Sequence, residues 1–175
     1  GALSFVEAKQ NGLGGVSGLS MPTAVAMSPD GAHLYATGQQ DDSVVVFSRN
    51  IVTGVLTFVE RKQDGVGGVD GIMRPTDVTL SPDGAHVYVT GEGDDAVAVF
   101  SRNVGTGVLT FVEAKFDGVG GVEGLGRSTA VTVSPDGANV YVTGEHDNAI
   151  VTFNRNVVTG AITFSADAHV PQKGV

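Results

Sequence analysis

Apolar and polar positions alternate along most of this chain in short runs, with Gly, Pro, Asn and Asp clustered between them. Thr76–Leu80 (Thr-Asp-Val-Thr-Leu) places apolar residues at alternate positions, the period of a half-buried strand. Ser81-Pro82-Asp83-Gly84 then predicts a tight turn, because Pro presets φ and Asp and Gly suit the remaining places. His86–Thr90 predicts a second strand, and Gly91–Asp95 turns the chain. Ala96–Arg102, apolar through its first half, predicts a third strand. Asn103–Gly107 turns again into a fourth, Val108–Glu113. A Gly-rich connection such as Asp64–Met73 leads from one such unit to the next. No stretch carries a helical period.

The unit recurs. Ser28-Pro29-Asp30-Gly31 returns at Ser81–Gly84 and at Ser134–Gly137, each step being 53 residues. The copies span 3–55, 56–108 and 109–161, and 162–175 holds a partial fourth repeat and a tail. They align without insertion, with 26 of 53 positions identical in all three, so one packing solution serves every copy. Tandem units of four short antiparallel strands predict an all-β fold of β-propeller blades. A β-solenoid is the alternative, but its repeats are usually shorter and its connections tighter. Phe47, Phe100 and Phe153, with Tyr35, Tyr88 and Tyr141, recur at fixed places and are expected to form core between blades.

Ser-Pro-Asp-Gly-Ala-His-Val-Tyr-Val-Thr-Gly (81–91) resembles the Tyr-Val-Thr-Asn type of propeller repeat. Val99-Phe100-Ser101-Arg102, followed by Thr106-Gly107-Val108-Leu109, resembles the hairpin of the seven-bladed lactonase family. That family includes 6-phosphogluconolactonase-like and carboxy-muconate-cyclase-like proteins, and Tyr-Val-Thr-Asn repeats also occur in surface-layer proteins. The resemblance covers about residues 3–166. It implies the blade fold. Its motifs are strand and turn signals, and none of the family's catalytic residues is matched to a position here.

Three blades are too few to close a ring, since propellers typically have about four to eight. Closure is therefore expected from self-association, a dimer giving six blades, or from the missing blades of a longer chain. There are four fourth-type strands, Leu3–Glu7, Leu56–Glu60, Leu109–Glu113 and Ile162–Ser165, against three sets of the others. One is spare. Leu3–Glu7 is placed to complete the last blade of a neighbouring chain, in competition with Ile162–Ser165.

Composition narrows the chemistry. The net charge of −9 argues against nucleic acid, which calls for clustered Lys and Arg. Gly is abundant at 26 of 175 residues, about twice average usage, which suits many tight turns. No cysteine is present, which excludes disulfides, thiolate catalysis and Cys-type zinc sites. No apolar run approaches the roughly 20 residues of a membrane span, and no signal peptide is visible. An exported or cell-surface bacterial location is expected.

Ligands of propellers usually bind where the loops entering the first strand meet the turns between second and third strands. Here those are 11–21, 64–74 and 117–127, with 39–42, 92–95 and 145–148. The expected ligand-binding residues are Arg74, Asp77, Glu92, Arg127, Glu145 and His146. Arg74 and Arg127 suit a ligand carboxylate or phosphate, or pairing with a loop carboxylate. His146 is the one weak candidate for a general base. Asp94, Asp95 and Asp147 are weak candidates for calcium, although Asp41, Asp94 and Asp147 also suit turn aspartates that bond their own backbone. Otherwise no cofactor is expected. Arg49, Arg102 and Arg155 recur beside Asn, as inter-blade structure would require, and His33 and His86 are expected at the surface or against a turn. The Gly-rich loops lack the Lys-Ser/Thr pair and following helix of a phosphate loop.

An active site needs different groups as acid, base and nucleophile. Near-identical blades offer the same groups three times, which suits a non-enzymatic module for ligand or protein binding, or surface scaffolding. A lactonase-type hydrolase with a site formed only in the complete ring is the alternative. A glycan-binding propeller is a third reading, and the lack of Trp counts against it.

Overall fold

The computed structural model describes residues 1–164, which form twelve strands and one short 3-10 turn at Gln39–Asp41. The strands make three separate four-stranded antiparallel sheets, each in simple sequence order. The first holds β1 (Pro22–Met27), β2 (His33–Gly38), β3 (Ser43–Arg49) and β4 (Leu56–Gln63). The second holds β5 (Pro75–Leu80), β6 (His86–Gly91), β7 (Ala96–Arg102) and β8 (Leu109–Phe116). The third holds β9 (Ser128–Val133), β10 (Asn139–Gly144), β11 (Ala149–Arg155) and β12 (Ile162–Phe164). These are the predicted blades, offset from the sequence repeat because the first strand pattern of each copy closes the preceding sheet. Ile162–Phe164 completes its own blade, pairing with Arg155, Asn154 and Phe153. Leu3–Glu7 lies in no strand. Ser165 and His169 lie outside the described residues.

The turns form as their residues dictate. Gly31 N–H donates to Ser28 O at 2.8 Å, closing a turn with Pro29 inside it, and Asp30 accepts from Ala32 N–H. In the Asn-x-x-Thr-Gly turn, Asn103 Oδ1 accepts from Gly105 and Thr106 N–H, and Gly107 takes a φ of 77°. Gly107 is required twice over: its φ favours glycine, and a Cβ there would run into the His33 ring of the preceding blade.

The core lies between blades. Tyr35, Val44 and Val46 of the first blade pack with Val87, Val89, Ala98 and Phe100 of the second. Tyr88, Val97 and Val99 pack in the same way with Val140, Val142 and Phe153 of the third. Of the recurrent aromatics, Tyr35, Tyr88, Phe100 and Phe153 are therefore inter-blade core, as expected, whereas Phe47 packs within the first blade and Tyr141 is exposed. Each of the three Phe also meets a Phe of the outer strand edge to face, Phe100 and Phe111 at 5.7 Å between centroids.

A polar bridge crosses each junction. Arg102 Nε donates to Tyr35 Oη at 2.7 Å, and Tyr35 O–H donates to Gly107 O at 2.9 Å. Arg102 Nη2 lies 2.9 Å from both Asp30 Oδ2 and His33 Nδ1. At the next junction Arg155 repeats these bonds with Tyr88, Asp83 and His86, and Tyr88 O–H donates to Gly160 O. His33 and His86 are thus buried between blades rather than at the surface, because the next blade's Thr-Gly turn closes over them.

The bridge is expected to make the fold acid-labile in two stages. Burial, then the facing arginine, lowers the affinity of His33 and His86 for a proton. The unfolded chain therefore binds more protons than the folded one as pH falls through about 6.5, and stability drops. Burial raises the Asp83 pKa, but hydrogen bonds from Ser81, Ala85 N–H and Arg155 outweigh it and hold the carboxyl at about 2. Its contribution is complete above the ordinary value near 4 and is lost as pH falls through about 2. The urea midpoint is expected to fall between pH 7 and 5 and again below about 4. His33→Asn with His86→Asn, the residue of the third copy, is expected to flatten the first stage. A midpoint that rises from pH 7 to 5 contradicts this.

Candidate binding rim

The Gly-rich connections meet the turns between second and third strands at one end of the blades. Glu92 N–H donates to Arg74 O and Gly93 N–H to Met73 O; Glu145 N–H donates to Arg127 O and His146 N–H to Gly126 O. Side chains from loops far apart in sequence are thereby held side by side.

Glu92 is the centre of this rim. Its side chain is only 10% exposed, and Oε1 accepts from Arg127 Nε at 2.8 Å while lying 3.6 Å from Arg74 Nη2. Its Oε2 accepts from Gln39 Nε2 of the first blade at 3.3 Å. Arg127 also faces Glu145 at 3.3 Å. The hydrogen bond to Glu92, and the charge of Glu145, strengthen the hold of Arg127 on its proton. The two arginine side chains are 57% and 54% exposed, which leaves N–H donors not used by Glu92 to solvent. Arg74 and Arg127 both stand at positive φ, 53° and 54°, and this kink projects them at the loop end. Met21 takes the same backbone shape at 50° in the first copy.

Of the expected residues, Arg74, Glu92, Arg127 and Glu145 come together. Asp77 is engaged elsewhere: Oδ1 accepts from Val78 N–H and Oδ2 from Val131 N–H of the next blade, both at 2.9 Å. His146 is exposed, and its ring has no hydrogen bond among the described residues. Neither neighbour orients it, since Glu145 turns to Arg127 and Asp147 Oδ2 accepts from Gly126 N–H at 2.6 Å.

The aspartates hold loops. Asp94 Oδ2 accepts from Met73 N–H at 2.8 Å, and Asp95 Oδ1 from Arg127 N–H of the next blade at 2.6 Å. Asp41 accepts from Ser20 N–H. These bonds reach back 21 residues to the Gly-rich connection or forward 32 to the next blade, rather than closing the residues' own turns. Asp42 does for Arg74 what Asp95 does for Arg127. The sequence signal for this was an Asp pair in two copies, one residue more than a turn needs. Asp64, Asp70 and Asp94 bring carboxylate oxygens within 4.8 Å of one another. Burial, and the charges of Asp64, Asp70 and Asp42, raise the Asp94 pKa against the Met73 hydrogen bond. Each of the three also accepts a backbone N–H: Asp64 that of Ile72, Asp70 that of Gly71 and Asp94 that of Met73.

Four-stranded blades joined in series, with a polar rim where their loops meet, define a β-propeller protein. The chain belongs to the lactonase family of seven-bladed β-propellers, whose model matches residues 3–123. Among solved structures, it is similar to a putative 6-phosphogluconolactonase of Bacteroides fragilis, 25% identical with a TM-score of 0.71, over 86% of this chain and 39% of that one. It is also similar to a periplasmic gluconolactonase of Pseudomonas aeruginosa, 27% identical with a TM-score of 0.68, over 82% of this chain and 38% of that one. An uncharacterised protein of Staphylococcus epidermidis is 24% identical over 154 residues, 88% of this chain. The chain spans 43% of the length of that curated relative.

Proposed function

We propose that these blades form a non-enzymatic propeller module, a scaffold whose Arg74–Glu92–Arg127 rim binds an anionic group of a ligand or protein partner. The observation that carries this reading is the state of the rim. Its carboxylates are spent on arginines and on backbone N–H groups, two arginines keep donors open to solvent, and the one rim histidine is oriented by nothing among the described residues. A paired surface of this kind binds, whereas acid–base chemistry calls for a poised and oriented base.

A lactonase-type hydrolase is the second reading, favoured by family membership and by the two neighbours named as gluconolactonases. There the same arginines would hold the phosphate of a phosphorylated sugar lactone, or the carboxylate that its hydrolysis releases. The expectation of an exported or cell-surface protein stays with the proposal, supported by the periplasmic neighbour.

Titration at constant pH with 6-phosphogluconolactone and gluconolactone separates the readings. The module reading expects acid release no faster than in buffer. Saturable hydrolysis that Arg74→Ala and Arg127→Ala abolish would establish the hydrolase instead.

A further inference from the structure

Of the 53 positions of the repeat, only four differ in all three copies, and two of those four meet at the rim. Gln40 N–H donates to Ser20 O, Gly93 N–H to Met73 O and His146 N–H to Gly126 O. One member of each pair is small and the other large. Each blade therefore puts one side chain of its own on a shared backbone frame: an amide, a thioether, an imidazole. The second pair is fitted by size. Gly93 does not take the left-handed φ that calls for glycine, yet a Cβ there would lie 2.9 Å from Met73 Cε and 3.0 Å from its Cγ. The glycine makes room for Met73.

Between the first two blades an open pocket of about 390 Å³ is lined by Met21, Gln39, Gln40, Asp42, Met73 and Arg74. That volume lies within the range of small-molecule sites. Met21 and Met73 are 58% and 37% exposed, although thioethers gain by burial. Arg74 makes no side-chain hydrogen bond among the described residues, and its ion contact with Glu92 is 3.6 Å long, against 2.8 Å from Arg127 to Glu92. The Gln40 amide oxygen accepts from Ser20 Oγ, so its N–H donors are unspent among the described residues. Asp42, the acidic group of the pocket, accepts from Arg74 N–H at 2.8 Å. At the next junction the places of Met21 and Met73 are taken by Arg74 and Gly126, so no thioether stands there.

We propose that the anion bound by the rim is a small organic acid with an apolar arm. Its carboxylate lies on Arg74, with Gln40 as a second donor, and its arm lies between Met21 and Met73. Unbranched, polarizable thioethers mould themselves to such an arm without a fixed shape of their own. The pocket takes the arm at one junction only, so the ligand sits in one orientation although the blades repeat.

This deepens the anion-binding reading of the rim and rests on it, and one titration separates the two. The chain holds three methionines, and Met27, in β1, lies outside the pocket. Their methyl groups, isotope-labelled and followed by NMR, report binding as acetate or hexanoate is added to the full chain. Hexanoate is expected to move the Met21 and Met73 signals and leave that of Met27. It should bind about tenfold or more tightly than acetate, because each buried CH₂ contributes severalfold. Arg74→Gln should weaken hexanoate about tenfold. In Met21→Gln and Met73→Gln the ratio of hexanoate to acetate affinity should fall towards unity. Gly93→Ala, which displaces Met73 and adds no polar group, should lower it as well. Hexanoate binding no tighter than acetate, or a ratio that Met73→Gln leaves intact, overturns the apolar arm and leaves the rim standing. Binding of neither acid, or indifference to Arg74→Gln, overturns both.

Discussion

Arg102→Ala is expected to lower the unfolding free energy by about 3–5 kcal/mol, the range for removing one partner of a buried charged network. The guanidinium is fully buried and donates to Tyr35, Asp30 and Gly84 O, with His33 Nδ1 beside it. Its loss strands the Tyr35 oxygen and the His33 ring between blades, where water cannot replace the donor without opening the junction. Arg102→Lys should recover only part of the loss, because one ammonium cannot reproduce the fork that reaches all these partners. Arg49→Ala is expected to cost about 1 kcal/mol or less, since among the described residues that side chain bonds only Gly31 O of its own blade and crosses no junction. Urea unfolding measures all three; a similar loss for Arg49 and Arg102 contradicts the account.

Phe100→Ala is expected to cost about 3–5 kcal/mol. Phe100 has no exposed surface, packs in the cluster shared by the first two blades and meets Phe111 edge to face. The neighbours that would have to collapse into the space are strand residues held on both sides by ladder hydrogen bonds, so little of the cavity closes. Phe100→Leu, which keeps most of the volume, should cost less than half as much. Equal urea midpoints for the wild type and Phe100→Ala would show that this face is not core.

Much of this was legible in the sequence, and the reasons are particular. Val-x-Val alternation, Ser-Pro-Asp-Gly and Asn-x-x-Thr-Gly are local signals, so the strands and turns followed from them directly. Arg102 and Tyr88 repeat in step with the blades, which marked them as structural. His33 and His86 were expected at the surface or against a turn, and they pack against a turn. That it is the next blade's turn was hidden, because nothing local tells that a turn 72 residues away from Tyr35, and its counterpart from Tyr88, closes over them. The rim was half legible. Arg74 and Arg127 announced themselves as blade-specific charges in a Gly-rich loop, but their pairing through Glu92 depends on loops of successive blades, 18 and 35 residues from it. Asp77 carried the same signal and proved to be a junction residue, since a carboxylate at a strand start serves a neighbour's backbone as readily as a ligand. Asp42 and Asp95 were hidden because an aspartate in a turn explains itself without a distant partner.

The central claim is that recurrence in this chain encodes junctions between successive blades, each made by an arginine and the tyrosine of the blade before it. A double-mutant cycle between Arg102→Ala and Tyr35→Phe, read by urea unfolding, tests it most directly, with Tyr88→Phe in place of Tyr35→Phe as the control. The account expects a coupling of about 0.5–3 kcal/mol for Arg102 with Tyr35 and additivity within about 0.5 kcal/mol for Arg102 with Tyr88. Additivity for Arg102 with Tyr35, or coupling to Tyr88 instead, would contradict it.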